Sequence, residues 1–186
     1  MERRSNALFL ILLLGLLAFG SLHAWRYLRV SLLPPLNENA LDGESVASQR
    51  TAWLAFDEVL QCDVLDPCLN TMVGSGWSNP TRIAKVCGAA EDRLKALNVP
   101  DELAPRLRQN VDFLREFWLG DIGDSVNAAT NLAAGKRGGV SPFAWNLDTC
   151  TSQSIPARID QLLGVVQPGQ ASAKCAEIRR ARRMPR

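Results

Sequence analysis

The sequence has only one histidine, His23, and it lies at the end of an apolar segment near the start of the chain. A Ser-His-Asp triad or a Cys-His dyad needs an imidazole base beside its nucleophile. The polar part of the chain has no such base, so these hydrolytic mechanisms are excluded there. The motif C-x-x-C-H is missing too, which excludes a covalently attached c-type haem.

Metal and phosphate motifs are equally scarce. The cysteines are separated by 5, 18, 62 and 24 residues, so the paired C-x-x-C spacing of a zinc site is missing. The glycine-rich run 135–139 has Thr130 where a P-loop needs its first glycine, and Arg137 where it needs Ser or Thr. We therefore predict no metal and no cofactor, and we interpret this run as a flexible basic connection.

Carboxylates are the remaining candidates for acid and base chemistry. Three adjacent pairs are available: Asp57 with Glu58, Glu91 with Asp92, and Asp101 with Glu102. Neighbouring residues on a helix do not point the same way. We therefore interpret the first two pairs as solvated helix faces and the third as the acidic first turn of a helix, and we predict no catalytic residue.

The most distinctive feature present is an apolar segment, residues 7–25, which follows Arg3 and Arg4. As a helix it would be roughly 28 Å long, which matches the hydrocarbon core of a bilayer. Four residues at its end are typical of a membrane interface, namely Trp25, Arg26, Tyr27 and Arg29. We predict that residues 1–30 are a signal-anchor that contacts membrane lipid through residues 7–25. The alternative is a signal peptide cleaved after the small residues near position 20.

The charges on the two sides of this segment nearly balance, so they do not orient it. Cysteine content gives the stronger indication, because structural disulfides rarely persist in a reducing cytosol. The chain has five cysteines, at positions Cys62, Cys68, Cys87, Cys150 and Cys175. We predict a single-pass protein of the inner membrane, with a cytoplasmic N-terminus and a periplasmic, disulfide-bonded domain.

Five cysteines form at most two intramolecular bridges, so one thiol is left over. Our preferred pairs are Cys62 or Cys68 with Cys87, and Cys150 with Cys175. Cys87 also suits a buried, reduced position, because it lies on the apolar face of a predicted helix. An unpaired cysteine would allow a disulfide-linked dimer or another homo-oligomer.

The pattern after residue 30 is helical, with no alternating run typical of a strand. Residues 31–43, with two prolines and several turn formers, are predicted to be a linker. The domain follows at 44–173, and a basic tail at 174–186. We expect an all-α bundle of about five to six helices stapled by disulfides.

Six helices are predicted from the helical spacing of apolar residues and from residues that are typical of helix starts and ends. The first, 44–62, is followed by a long loop over 63–79 and by a helix that begins with the cap Asn79 and Pro80. The clearest amphipathic helix has apolar residues three or four positions apart, at Leu103, Leu107, Val111, Leu114 and Trp118. We expect Gly120 to end this helix. Three further helices are predicted: one over 123–134 that is ended by Gly135, one that begins at Pro156, and one over 172–183.

Charge is divided along the chain. Residues 31–173 carry 11 basic and 17 acidic side chains, whereas the tail carries six basic residues and one acidic residue. Candidate partner contacts are aromatic residues on predicted loops and arginines in the tail: Trp77, Phe143, Trp145, Arg179, Arg180, Arg182 and Arg183. The alternatives are aromatics that cap the core and a solvated helix end. An acidic body makes nucleic acid an unsuitable partner.

These features together predict a non-enzymatic accessory or assembly subunit that works by protein-protein contact within an envelope or secretion complex. A second hypothesis is a binding protein or inhibitor of the immunity type, whose acidic body suits a basic target in the periplasm. A third is an enzyme that acts on glycans with carboxylates alone.

Overall fold

The structure is a computed structural model that describes residues 14–15, 32–43, 45–75, 77–136, 155–165, 175 and 177. The chain divides into two compact units, Met1–Pro34 and Pro35–Arg186. The predicted anchor lies outside the described residues except for Leu14 and Gly15, and so do all four predicted interface residues from 25 to 29. Among the described residues, no helix combines the length and the apolar character that a membrane span needs.

The second unit is all-helical over its described residues, and these contain no strand. A short 3-10 helix, Glu38–Leu41, precedes α1, Val46–Val59. The chain then continues through a π-helical segment, Leu60–Leu65, into α2, Asp66–Ser75. Helices α3, Pro80–Ala96, and α4, Pro105–Ala133, pack against each other, and residues 155–162 form a further helical stretch. The predicted all-α class is confirmed.

The predicted number of helices, about five to six, is wrong: the described part of the chain has four complete α-helices. The two helices predicted at 103–118 and 123–134 are one helix, α4, because Gly120 does not end it. A glycine inside a helix costs only about 1 kcal/mol relative to alanine. The buried residues Trp118 and Ile122 flank Gly120, and their packing favours a continuous helix.

The loop predicted over 63–79 is also wrong, because this stretch contains the π-helical segment and α2. Its sequence combines an Asp-Pro pair with several buried residues, among them Val64, Leu65, Cys68 and Met72. Proline is tolerated in the first turn of a helix, so Pro67 begins α2 rather than a turn.

The ends of α3 follow the prediction. The side chain of Asn79 accepts a hydrogen bond from the backbone N–H of Arg82 at 3.0 Å, and Pro80 takes the first helical position. The helix ends at Ala96, before Pro100.

The start of α4 differs from the prediction, because this helix begins at Pro105 and leaves Asp101 and Glu102 before its first turn. Both of these carboxylates are exposed. All five residues of the predicted apolar stripe from 103 to 118 are buried, but Leu103 lies just before α4 and the other four lie on it.

Two disulfides cross-link the second unit. Cys68 of α2 is bonded to Cys87 of α3, which is one of the predicted pairs. Cys62 of the π-helical segment is bonded to Cys175, at a sequence separation of 113 residues. The predicted bond between Cys150 and Cys175 is therefore wrong, and Cys150 lies outside the described residues. Both sulfurs of the long bridge belong to residues that are only 1% exposed.

Two helices end in the same way, with a glycine at positive φ. Gly135 has φ 69°, and the N–H groups of Gly135 and Lys136 bond back to the carbonyls of Leu132 and Asn131, which confirms the predicted end of α4. Gly164 has φ 62°, and the same pattern closes the helical stretch 155–162. The two glycines differ in their surroundings. A Cβ on Gly164 would lie 3.1 Å from Nη2 of Arg50, whereas a Cβ on Gly135 would meet nothing within 4 Å.

We expect Gly164→Ala to lower the free energy of unfolding by more than Gly135→Ala. Both changes carry the strain of a left-handed alanine, roughly 1–2 kcal/mol, and only Gly164→Ala also displaces Arg50. Urea unfolding of the two variants, alone and with Arg50→Ala, measures the difference. In the Arg50→Ala background the two glycine variants should become equal, and a difference that persists there contradicts this explanation.

Candidate functional site

One predicted partner-contact residue, Trp77, lies among the described residues; Phe143, Trp145, Arg179, Arg180, Arg182 and Arg183 lie outside them. Trp77 is half-buried in the turn between α2 and α3, and its φ of 65° is left-handed. That conformation costs a non-glycine residue roughly 1–2 kcal/mol, and strained backbone of this kind recurs at functional sites. Val73, one turn earlier on α2, is 80% exposed. Val73 and Trp77, here named the α2–α3 turn patch, are four positions apart, at the C-terminal end of α2 and in the turn that follows it.

A second cluster joins α1 to the segment 155–165. The indole Nε1 of Trp53 donates a hydrogen bond to Oδ1 of Asp160 at 2.7 Å, and Trp53 is fully buried. One turn away on each side of Trp53 on α1 are Arg50 and Asp57. The guanidinium Nε of Arg50 donates to the carbonyl of Leu163 at 2.6 Å, at the C-terminal end of the 155–162 helical stretch. A cation at that end is favourable, because helix carbonyls there carry partial negative charge.

Asp57 and Asp160 place two carboxylates in this buried cluster, where the residues are 9% and 7% exposed. The pKa of Asp57 is raised from 3.8 to about 6, chiefly by burial and to a smaller extent by the negative charge of Asp160. A hydrogen bond from Nε2 of Gln61, at 3.4 Å, acts in the opposite direction. None of the ion pairs between described residues includes Asp57 or Asp160.

The interpretation of Asp57 and Glu58 as a solvated face is therefore wrong for Asp57, which is buried, while Glu58 is half-buried. The structure places Asp57 close enough to Asp160 for their charges to interact, and Asp160 is not among the residues predicted above. One signal for Asp160 was present: a tryptophan in the middle of an apolar stripe needs an acceptor for its N–H when it is buried. Asp160 is flanked by Ile159 and Leu163, which places it at the apolar side of its helix.

Gln49, in the first turn of α1, connects this helix to two other elements. It is fully buried, and its Oε1 accepts a hydrogen bond from the backbone N–H of Ala104 at 3.0 Å. Its Nε2 donates to the carbonyl of Leu41 at 3.4 Å. One side chain thus connects the 3-10 helix, α1 and the start of α4, and it satisfies a backbone N–H that no α4 carbonyl can reach.

Two open grooves lie beside α1 and the 155–165 segment. One, of about 620 Å³, is lined by the 3-10 helix and by Arg158, Gln161 and Leu162. The other, of about 580 Å³, lies between small residues of α1, such as Ser48 and Ala52, and the stretch from Leu97 to Glu102. Neither groove is lined by Asp57 or Asp160. The pKa of Asp57 suits a general acid or base near neutral pH, but neither of these grooves gives a substrate access to it.

Among the described residues, no group of three or more His, Cys, Asp or Glu side chains is placed to hold a metal ion. Comparison with protein-family models, with curated proteins and with solved structures finds no match to this chain.

Proposed function

We propose that this protein is a membrane-anchored, periplasmic accessory or assembly subunit that acts by protein-protein contact within an envelope complex. The observation that carries the proposal is the pair of disulfides, Cys62–Cys175 and Cys68–Cys87. Bridges of this kind are formed and kept in oxidising compartments. The apolar segment 7–25 supplies the anchor, with cleavage of a signal peptide as the alternative.

The α2–α3 turn patch is the contact surface in this proposal. The Cys68–Cys87 bridge joins α2 to α3, the two helices that this turn connects. A turn restrained in this way loses little conformational entropy when a partner binds. Trp77 provides a large aromatic surface in a fixed backbone conformation, and aromatic residues of this type are enriched among the strongest contacts of interfaces. Val73 adds apolar area that is already exposed to water.

The test is purification of the full-length protein from mildly solubilised membranes under non-reducing conditions, followed by mass spectrometry. We expect an intact N-terminus, both bridges and a membrane-protein partner in stoichiometric amount. Val73→Asp should remove that partner, because it places a charge in the apolar contact. Leu132→Asp is the matched control, since Leu132 is 41% exposed on α4 and is not part of the patch. Recovery of the protein alone in its native membrane contradicts the proposal.

A further inference from the structure

The contact between α1 and the segment 155–165 contains an unusual combination of groups. The Arg50–Leu163 hydrogen bond lies within this contact, and the Cys62–Cys175 bridge joins a residue just after α1 to a residue beyond the segment. The contact also contains the carboxylates of Asp57 and Asp160, one from each side, and the Trp53 hydrogen bond to Asp160. Apolar residues complete the contact, since Ile155, Ile159 and Leu163 are all buried.

Two ionised carboxylates in such a contact repel each other, and burial makes the repulsion stronger than in water. The charged groups nearest in sequence do not offset it. Arg50 directs its guanidinium to the Leu163 carbonyl, Arg158 is exposed in the first groove, and Asp63 pairs with Arg93 at 3.7 Å. Asp160 is the one charged group of the described residues that affects the pKa of Asp57. Asp57, whose pKa is raised chiefly by burial, is the group of this contact that takes up a proton.

We propose that this contact is an acid-closed latch: protonation of Asp57 holds the segment 155–165 on α1, and its ionisation loosens the segment while the Cys62–Cys175 bridge keeps it attached. Protonation of Asp57 removes the cost of burying its charge, which is the larger effect, and also the repulsion from Asp160. Ionised Asp57 is rehydrated only when the segment moves away, so the open form is favoured as pH rises. The pKa of Asp57, about 6, places the change between mildly acidic and neutral pH. The latch is a property of the fold and holds whether or not the proposed function is correct.

The direct test is hydrogen exchange of the full-length, disulfide-bonded protein in detergent micelles, measured by mass spectrometry at low urea concentrations. Exchange rates are divided by the intrinsic rate at each pH to give opening constants. We expect amides of residues 155–165 to open with a weaker urea dependence than amides of α4, because only a small surface becomes exposed. Equal opening constants and equal urea dependence in the two regions would show that the segment opens only with the whole domain, and would overturn the latch.

The pH dependence is tested with Asp57→Asn, which keeps the shape of the side chain and removes its charge. At pH 8 this variant should lower the opening constant of residues 155–165 by on the order of 100-fold, and at pH 4 by only a few-fold. Asp124→Asn is the control, because Asp124 is an exposed carboxylate on α4. Asp160→Asn keeps an oxygen that accepts the Trp53 hydrogen bond and removes only the repulsion. It should therefore lower the opening constant of residues 155–165 at pH 8 by less than Asp57→Asn does. If wild type, Asp57→Asn and Asp160→Asn have equal opening constants for residues 155–165 at pH 8, the proposal is overturned.

Discussion

Replacing Cys62 and Cys175 together with alanine is expected to lower the free energy of unfolding by about 5 kcal/mol, the largest effect we expect from any pair of substitutions. A disulfide restricts the unfolded chain, and the entropy it removes increases with the length of the loop it closes. This bridge joins residues 113 apart in sequence. A loss of that size is comparable to the whole stability of many small domains, so the variant should be largely unfolded at 37 °C.

The shorter bridge gives a matched comparison. Cys68 and Cys87 are 19 residues apart, and alanine at both positions should cost about 3 kcal/mol by the same relation. Urea unfolding of the two double variants and wild type, followed by circular dichroism, measures both losses. All four cysteines are at most 1% exposed, so the cavities left by alanine are similar in kind. A greater loss from the shorter bridge would show that local packing, rather than restriction of the unfolded chain, decides the stability of this domain.

The helical class and two helix boundaries were predictable because they depend on local signals. Asn79 followed by Pro80 specifies the start of α3, and Gly135 specifies the end of α4, through backbone preferences that hold in isolation. Gly120 and Pro67 were misleading for the opposite reason. For Gly120, burial of neighbours such as Trp118 outweighs about 1 kcal/mol of unfavourable helix propensity. Pro67 lies in the first turn of α2, where proline is tolerated.

The cluster around Trp53 could not be predicted, because its members are brought together over more than 100 positions of sequence. Trp53 and Asp160 are 107 residues apart, and Arg50 and Leu163 are 113 apart. Helical periodicity identifies which face of α1 is buried, but it carries no information on which distant segment covers that face. The same limit explains the incorrect pairing of Cys175, which was assigned to the nearest cysteine in sequence.

The second large effect concerns Asp57, whose pKa in the folded protein lies near 6 instead of 3.8. Between these two values the folded state binds more protons than the unfolded state, so stability decreases as pH rises through this window. Above pH 6 the decrease is complete. A shift of this size corresponds to about 3 kcal/mol, because each pKa unit is worth about 1.4 kcal/mol. The carboxylate of Asp57 therefore destabilises the folded protein at neutral pH and has no such effect near pH 3.

Asp57→Asn should accordingly raise the free energy of unfolding at pH 8 by up to about 3 kcal/mol, and the gain should disappear as pH falls below 4. The asparagine amide can still accept the hydrogen bond from Gln61, and its NH₂ group is uncharged beside Asp160. Urea unfolding of the variant, wild type and Asp124→Asn at a series of pH values measures the gain and its midpoint. Because global unfolding exposes Asp57 in every case, this gain does not require separate opening of residues 155–165. A variant that is less stable than wild type at pH 8 would mean that the ionised carboxylate of Asp57 makes a favourable contact in the folded protein.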